Sequence, residues 1–183
     1  MFDVDDFLAS CRACLDDPEP RLAVRDLLTR TMSRASDVAA ALPPERAGIT
    51  LLHNAPDLTV INVVWAPKMR LYAHDHRMWA AISIYGGYED NAFYRRRPEG
   101  DGRLLESGGK RLAEGDVTLL GDDTVHAVSN PMTVPTGAIH VYGGDFVNQP
   151  RSQWPADDAV EQPYDHGRVL EVFASANREW HAA

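Results

Sequence analysis

His74-Asp75-His76 is the first stretch of this chain with metal chemistry in it, and His126 supplies the complement. Neutral imidazole serves iron, zinc, copper and nickel alike. In an extended strand, residues i and i+2 project from one face, so both imidazoles of a His-x-His can reach one ion while Asp75 faces away. A divalent ion needs a third protein donor, and that donor must come from another strand. His126 follows Gly121-Asp122-Asp123, a turn signal that places it at a strand start. Together His74, His76 and His126 predict a three-histidine metal site. Of the other histidines, His140 lies in a strand-like run, whereas His53, His166 and His181 fall in loops or the tail and read as surface residues.

Such a site requires strands from distant parts of the chain to lie side by side. Short runs rich in β-branched residues cover 49–52, 58–65, 70–76, 80–85, 90–96, 104–112, 116–120, 126–129 and 138–142. Turn signals separate most of them, among them Pro67, Gly86-Gly87, Gly108-Gly109 and Asn130-Pro131. Many short strands punctuated by glycine and proline predict a mainly β sandwich or barrel. Glu89 and Asp90 fall beside one of these signals and read as turn residues. Ahead of the strands, residues 2–42 carry apolar side chains at helical spacing and predict two helices, broken at Pro18 and Pro20 and stopped at Pro43-Pro44. The tail, 149–163, rich in proline and acids, reads as a wrapping loop, and 170–173 as one more short strand. The expected organisation is one domain, with helices over 1–47 packed on a barrel over 48–183.

Bulk properties narrow the function classes. The chain has 183 residues, 44% hydrophobic and 25% charged, as expected of a globular protein that buries a core without staples. A formal charge of −9 disfavours nucleic acid and anionic membrane surfaces, both of which need a basic face. No apolar run is long enough to span a bilayer, and acids occupy the N-terminus where a secretory signal carries lysine. The expectation is a cytoplasmic protein that acts on a small molecule; oligomeric state is left open. The two cysteines, Cys11 and Cys14, form a CxxC inside a helical stretch without a second pair, and read as small core residues.

The histidines lie in a longer pattern that resembles the cupin family. Its first motif runs Gly-x5-His-x-His-x3/4-Glu-x6-Gly, and here the segment from Lys68 through His74 and His76 closes on Gly87. Its second runs Gly-x5-Pro-x-Gly-x2-His-x3-Asn, matched by Gly115, His126 and Asn130, with Gly121 and Asp123 in place of the proline and the second glycine. The usual metal-binding glutamate is replaced by Ala80 or Ala81. A three-histidine set without a carboxylate is similar to the thiol dioxygenase (cysteine dioxygenase-like) branch. Trp79, the Gly-Gly-Tyr-Glu run at Gly86 and the segment Ala138-Ile139-His140-Val141-Tyr142 also look like that branch.

The resemblance covers residues 48 to 146 and implies a double-stranded β-helix, iron(II) as cofactor (zinc, nickel or manganese being the other ions such a set accepts), and oxidation of a small thiol to its sulfinate with O2. It implies roles for Tyr142 and His140, the tyrosine hydroxyl lying near the metal-bound substrate and the histidine supporting it. In this family a serine extends the series, and here Ala138 stands in its place. The family's crosslinking cysteine would fall near Ala81 and its carboxylate-binding arginine near residues 49–52, where no basic residue stands; cysteine itself is therefore not the expected substrate. Arg70, at an even offset from His74, is the candidate for binding a substrate anion, with Arg95, Arg96 and Arg97 as alternatives and Trp79 as a candidate pocket wall. Two other readings compete: a three-histidine cupin dioxygenase that cleaves a carbon–carbon bond of a chelating substrate, and a non-catalytic cupin that binds metal or ligand.

Overall fold

A computed structural model of the chain describes residues 1–156 and 159–182. Its strands are β1 Gly48–Ala55, β2 Leu58–Trp65, β3 Arg70–Asp75, β4 Ala80–Gly86, β5 Tyr88–Arg96, β6 Leu104–Ala113, β7 Val117–Leu120, β8 Val125–Ser129, β9 Thr136–Tyr142, β10 Ser152–Trp154 and β11 Gln162–Pro163. They form two antiparallel sheets, ordered β1-β2-β9-β4-β7 and β11-β10-β3-β8-β5-β6. β2 is buried along its whole length and is mostly apolar, with Thr59 and Asn62 as its polar residues. Such a strand is covered on both faces. Ile61, Val63 and Trp65 point into the space between the sheets with Ile82, Ile84 and Ala138, while Leu58, Val60, Tyr85, Ile139 and Val141 point out.

That outer face needs a cover, and the N-terminal helices supply it. They are α1 Val4–Ala13, α2 Pro20–Met32 and α3 Ala35–Ala41. Asp3 caps α1 by accepting from the Asp6 amide at 3.0 Å, and Pro20 opens α2, where its missing N–H costs nothing. Phe7, Cys11, Val24, Leu28, Met32 and Val38 form the apolar face laid on the sheet. The second expected helix is two: the chain turns at Ser33-Arg34, so Val38 meets the sheet on its own short segment. Cys11 is buried there, and desolvation, with Cys14 adding to it, pushes its thiol up to about 12, which leaves it protonated and unreactive.

Residues 170–173 are helical, within α4 His166–Ala182, and not a strand. The sequence reading was drawn by the short apolar run, but the buried positions are Val169, Phe173 and Asn177, which repeat every four residues. Phe173 stacks on Trp65 with ring centroids 5.4 Å apart, and Asn177 bonds both the amide and the carbonyl of Ala47. α4 therefore packs against the inner core cluster. The tail also departs from a plain loop, because β10 pairs with β3 and sets Gln153 opposite His74. Gly87 connects β4 to β5 at φ +80, and a Cβ there would meet the Thr136 hydroxyl oxygen at 2.6 Å. Only glycine fits that corner.

Candidate metal centre

β3 and β8 are neighbours, with His74 directly opposite His126, and His76 follows one residue past the end of β3. All three side chains are buried, and one nitrogen from each lies within 4.8 Å of the others. The tautomers of His74 and His126 follow from their partners. His74 Nδ1 sits 3.0 Å from the Tyr72 carbonyl, which only accepts, so Nδ1 carries the proton and Nε2 is free to ligate. Asn91 gives its amide N–H to the Glu89 carboxylate at 2.9 Å, so its oxygen faces His126 Nδ1 at 2.7 Å and accepts from it. His126 Nε2 is thereby freed as well, 3.3 Å from His76 Nε2. An outer acceptor that orients the ligand ring is the usual companion of a metal-binding histidine. The donor set fits a divalent metal ion.

Burial, chiefly, holds the three imidazoles neutral. It lowers His74 to about 4, and it lowers His76 and His126 well below 6.5 with help from their neighbouring histidines. An unfolded histidine titrates near 6.5, so the unfolded chain takes up protons first as the pH falls. The metal-free protein is expected to keep this stability above about pH 6.5 and lose it progressively below, His74 alone contributing on the order of 3 kcal/mol by pH 4. Urea midpoints of the chelator-treated protein from pH 8 to pH 4 measure this, and a flat profile through that window would contradict buried neutral histidines.

The wall facing the triad belongs to β9. Ala138, His140 and Tyr142 alternate inward, and the Tyr142 ring packs edge-on to His76 with centroids 5.0 Å apart. The Tyr142 hydroxyl lies 3.0 Å from His140 Nδ1, and His140 Nε2 lies 3.7 Å from a Glu89 oxygen, an electrostatic contact longer than a hydrogen bond. Burial raises the Tyr142 phenol well above its usual range, so it keeps its proton. Glu89 is not a turn residue. It is fully buried on β5, accepting from Trp65 Nε1 at 2.8 Å and from Asn91. Burial would raise its carboxyl, but His140, Asn91 and Trp65 together hold it below the ordinary value, and it stays charged. One carboxylate thus orients both a ligand, through Asn91, and the His140–Tyr142 pair. Asp90 points the other way and pairs with Arg111 on the surface.

The arginines chosen from sequence do not line this cavity. A register shift between Leu71 and His74 breaks the even spacing, so Leu71 faces the histidines and Arg70 is exposed. Arg96 pairs with Asp75 and Glu161, Arg97 with Asp101, and Arg95 is exposed. Trp79 packs on the helix side of the sheet, against the Gly143 backbone, and is likewise not among the cavity residues. The residue that sequence reasoning missed is Arg151, in the proline-rich tail. Its guanidinium is sandwiched between the Phe146 and Tyr164 rings, 3.8 Å from each centroid, and bonds the Phe146 carbonyl. Nothing local marks it, because its burial comes from the tail folding back over the barrel.

No protein-family model matches the chain. Among solved structures, a Bacillus halodurans protein superposes with a TM-score of 0.51 at 12% identity, over 74% of this chain and 90% of that one. An uncharacterized conserved protein with a double-stranded β-helix domain from Klebsiella pneumoniae gives a TM-score of 0.46 at 15% identity, covering 61% and 82%. An RmlC-like cupin family protein from Methanocaldococcus jannaschii gives 0.45 at 10%, covering 56% and 85%. At 12% identity the likeness to the Bacillus halodurans protein is one of fold. The strand orders β2-β9-β4-β7 and β3-β8-β5-β6, in two sheets that close on a buried histidine cluster, make the fold of this chain a double-stranded β-helix of the jelly-roll kind.

Proposed function

We propose that the protein is an iron(II)-dependent dioxygenase that oxidises a small thiol, other than cysteine, to its sulfinate. The observation that carries this reading is the pairing of three neutral histidines, with no carboxylate among them, with the Tyr142 hydroxyl on the facing wall. His74, His76 and His126 would hold the ion, which when bound supplies a redox centre and depresses the pKa of a coordinated thiol. A thiolate offsets the charge that a histidine-only set leaves uncompensated. The reaction R–SH + O2 → R–SO2⁻ + H⁺ places both oxygen atoms on sulfur and needs no further reductant. Tyr142 stays protonated and accepts or gives one hydrogen bond at the substrate's sulfur; His140, itself facing Glu89, fixes that hydroxyl.

Free space beside the histidines amounts to about 20 Å³. That is little more than one water needs. Diketone cleavage would require a planar two-oxygen chelate there, and the apolar residues at the cavity entrance are what favour that second reading. Oxygen uptake by the iron-loaded protein, with a panel of thiols and diketones, separates the two. Uptake with a thiol matched by sulfinate formation is expected; turnover of a diketone alone would sink the thiol reading, and no uptake with either would leave a binding protein.

A further inference from the structure

An ion and a substrate must reach three histidines of which the most accessible, His74, is only 7% exposed. Next to their cavity lies a second space of about 560 Å³ that opens at the surface, and Ile49, Ile61, Phe146 and Tyr164 line both. These four residues are the partition between the two. The inner cavity is otherwise walled by β2, β3, β8 and β9; besides the ligand His76, only Phe146 and Tyr164 come from outside the strands. Ile49 and Ile61 are held in the sheet, Ile49 opposite Val63 and Ile61 between Leu51 and His140. Phe146 is held as firmly. Its amide donates to the Thr59 hydroxyl at 3.1 Å, its carbonyl accepts from Arg151, and its ring stacks on Tyr142 at 4.2 Å. Tyr164 is the exception. It is half-buried between β11 and α4, and among the described residues its one hydrogen bond runs from its amide to the Arg151 carbonyl at 2.9 Å. Its ring rests on the Arg151 guanidinium at 3.8 Å, a single contact of a weak and reversible kind. Phe146 grips Arg151 from the other side through its ring and its carbonyl, so the seat stays in place when the Tyr164 ring leaves it.

We propose that Tyr164 is the gate of the metal centre. With its ring on Arg151 the histidine cavity is shut off; with the ring swung away the cavity joins the outer space, through which ion and substrate pass. The gate is one side chain moving against a fixed frame, and no strand of the barrel has to open. This claim rests on the histidine site of the functional reading above and not on its thiol chemistry.

Metal exchange kinetics test this, with zinc(II) mixed into the chelator-treated protein and chelator mixed into the loaded protein. In Tyr164→Ala, uptake and release are expected to quicken by the same factor, at least about ten-fold, because a gate is a barrier that both directions cross. The equilibrium affinity should stay that of the wild type. Tyr164→Phe keeps the ring and should behave as wild type, whereas Tyr164→Trp puts a larger cover on the same seat and should slow both rates. The tryptophan variant decides the matter where the alanine variant does not fold. Unchanged rates, or faster release paired with weaker affinity (the mark of a disturbed site), would overturn the proposal. Should the protein bind no ion, the dioxygenase reading fails, and diethylpyrocarbonate on the metal-free protein still reads the gate. His74, His76 and His126 should then be acylated at least about ten-fold faster in Tyr164→Ala, with the exposed His181 unchanged as control; equal rates would overturn the gate. A protein that exchanges metal in this way yet oxidises no thiol would refute the dioxygenase reading and leave the gate standing.

Discussion

Replacing His126 by alanine is expected to strip the metal from the protein: elemental analysis after purification should fall from near one ion per chain to background. The effect is large because three donors are the minimum for tight binding, and His126 is the ligand best fixed by its surroundings. Chelator competition should show affinity lower by at least about 100-fold, beyond the roughly 10- to 100-fold expected when only an outer partner is lost. Asn91→Ala provides that second case, since it leaves all three imidazoles but frees the His126 ring. The order of losses, His126→Ala greater than Asn91→Ala, is the result that matters. Equal metal content in wild type and His126→Ala would place the ion elsewhere and remove the basis of the proposed function.

Glu89→Leu is expected to be among the most destabilising single changes in the barrel, costing about 3–5 kcal/mol. The carboxylate has no exposed surface and satisfies two buried donors, Trp65 Nε1 and the Asn91 amide, while facing His140. A leucine of similar size leaves both donors without an acceptor in a region that excludes water. Glu89→Gln is the milder variant: one of its terminal groups must present N–H to a donor, so about 1–3 kcal/mol is expected. Denaturant midpoints at constant slope read both losses. In the glutamine variant the His140–Tyr142 pair loses the charge facing it, so turnover should fall even where folding survives. A cost under about 1 kcal/mol for the leucine variant would show that Glu89 does not organise the interior as argued.

The histidine site was readable because its signal is local: strand alternation puts His74 and His76 on one face, and turn chemistry marks the start of the strand bearing His126. The nine central strands were readable for the same reason, each being a short β-branched run between turn residues. What escaped was set by long-range packing. Glu89 looks like a turn residue next to Gly86-Gly87, yet β5 begins immediately after the corner, and its first residues are drawn inside by Trp65 and Asn91. Arg70 was misplaced because an irregularity in β3 changes the parity on which the reading depended, and no residue type announces it. Arg151 and α4 belong to the tail, whose burial depends on where β10 and Asn177 dock and not on its own composition. Among the described residues no helix is long and apolar enough to cross a membrane.

Asp75, the residue between the two ligand histidines, gives β3 a second task on its other face. Its carboxylate takes the Ser152 amide at 2.7 Å and pairs with Arg77 and Arg96, which in turn grip Glu161. The tail is thus pegged to the very strand that presents the histidines, and the peg sits one residue from Arg151. Retention of the tail and shape of the metal site are therefore expected to behave as one cooperative unit. Amide exchange in residues 151–154 should therefore slow and quicken together with exchange in β3.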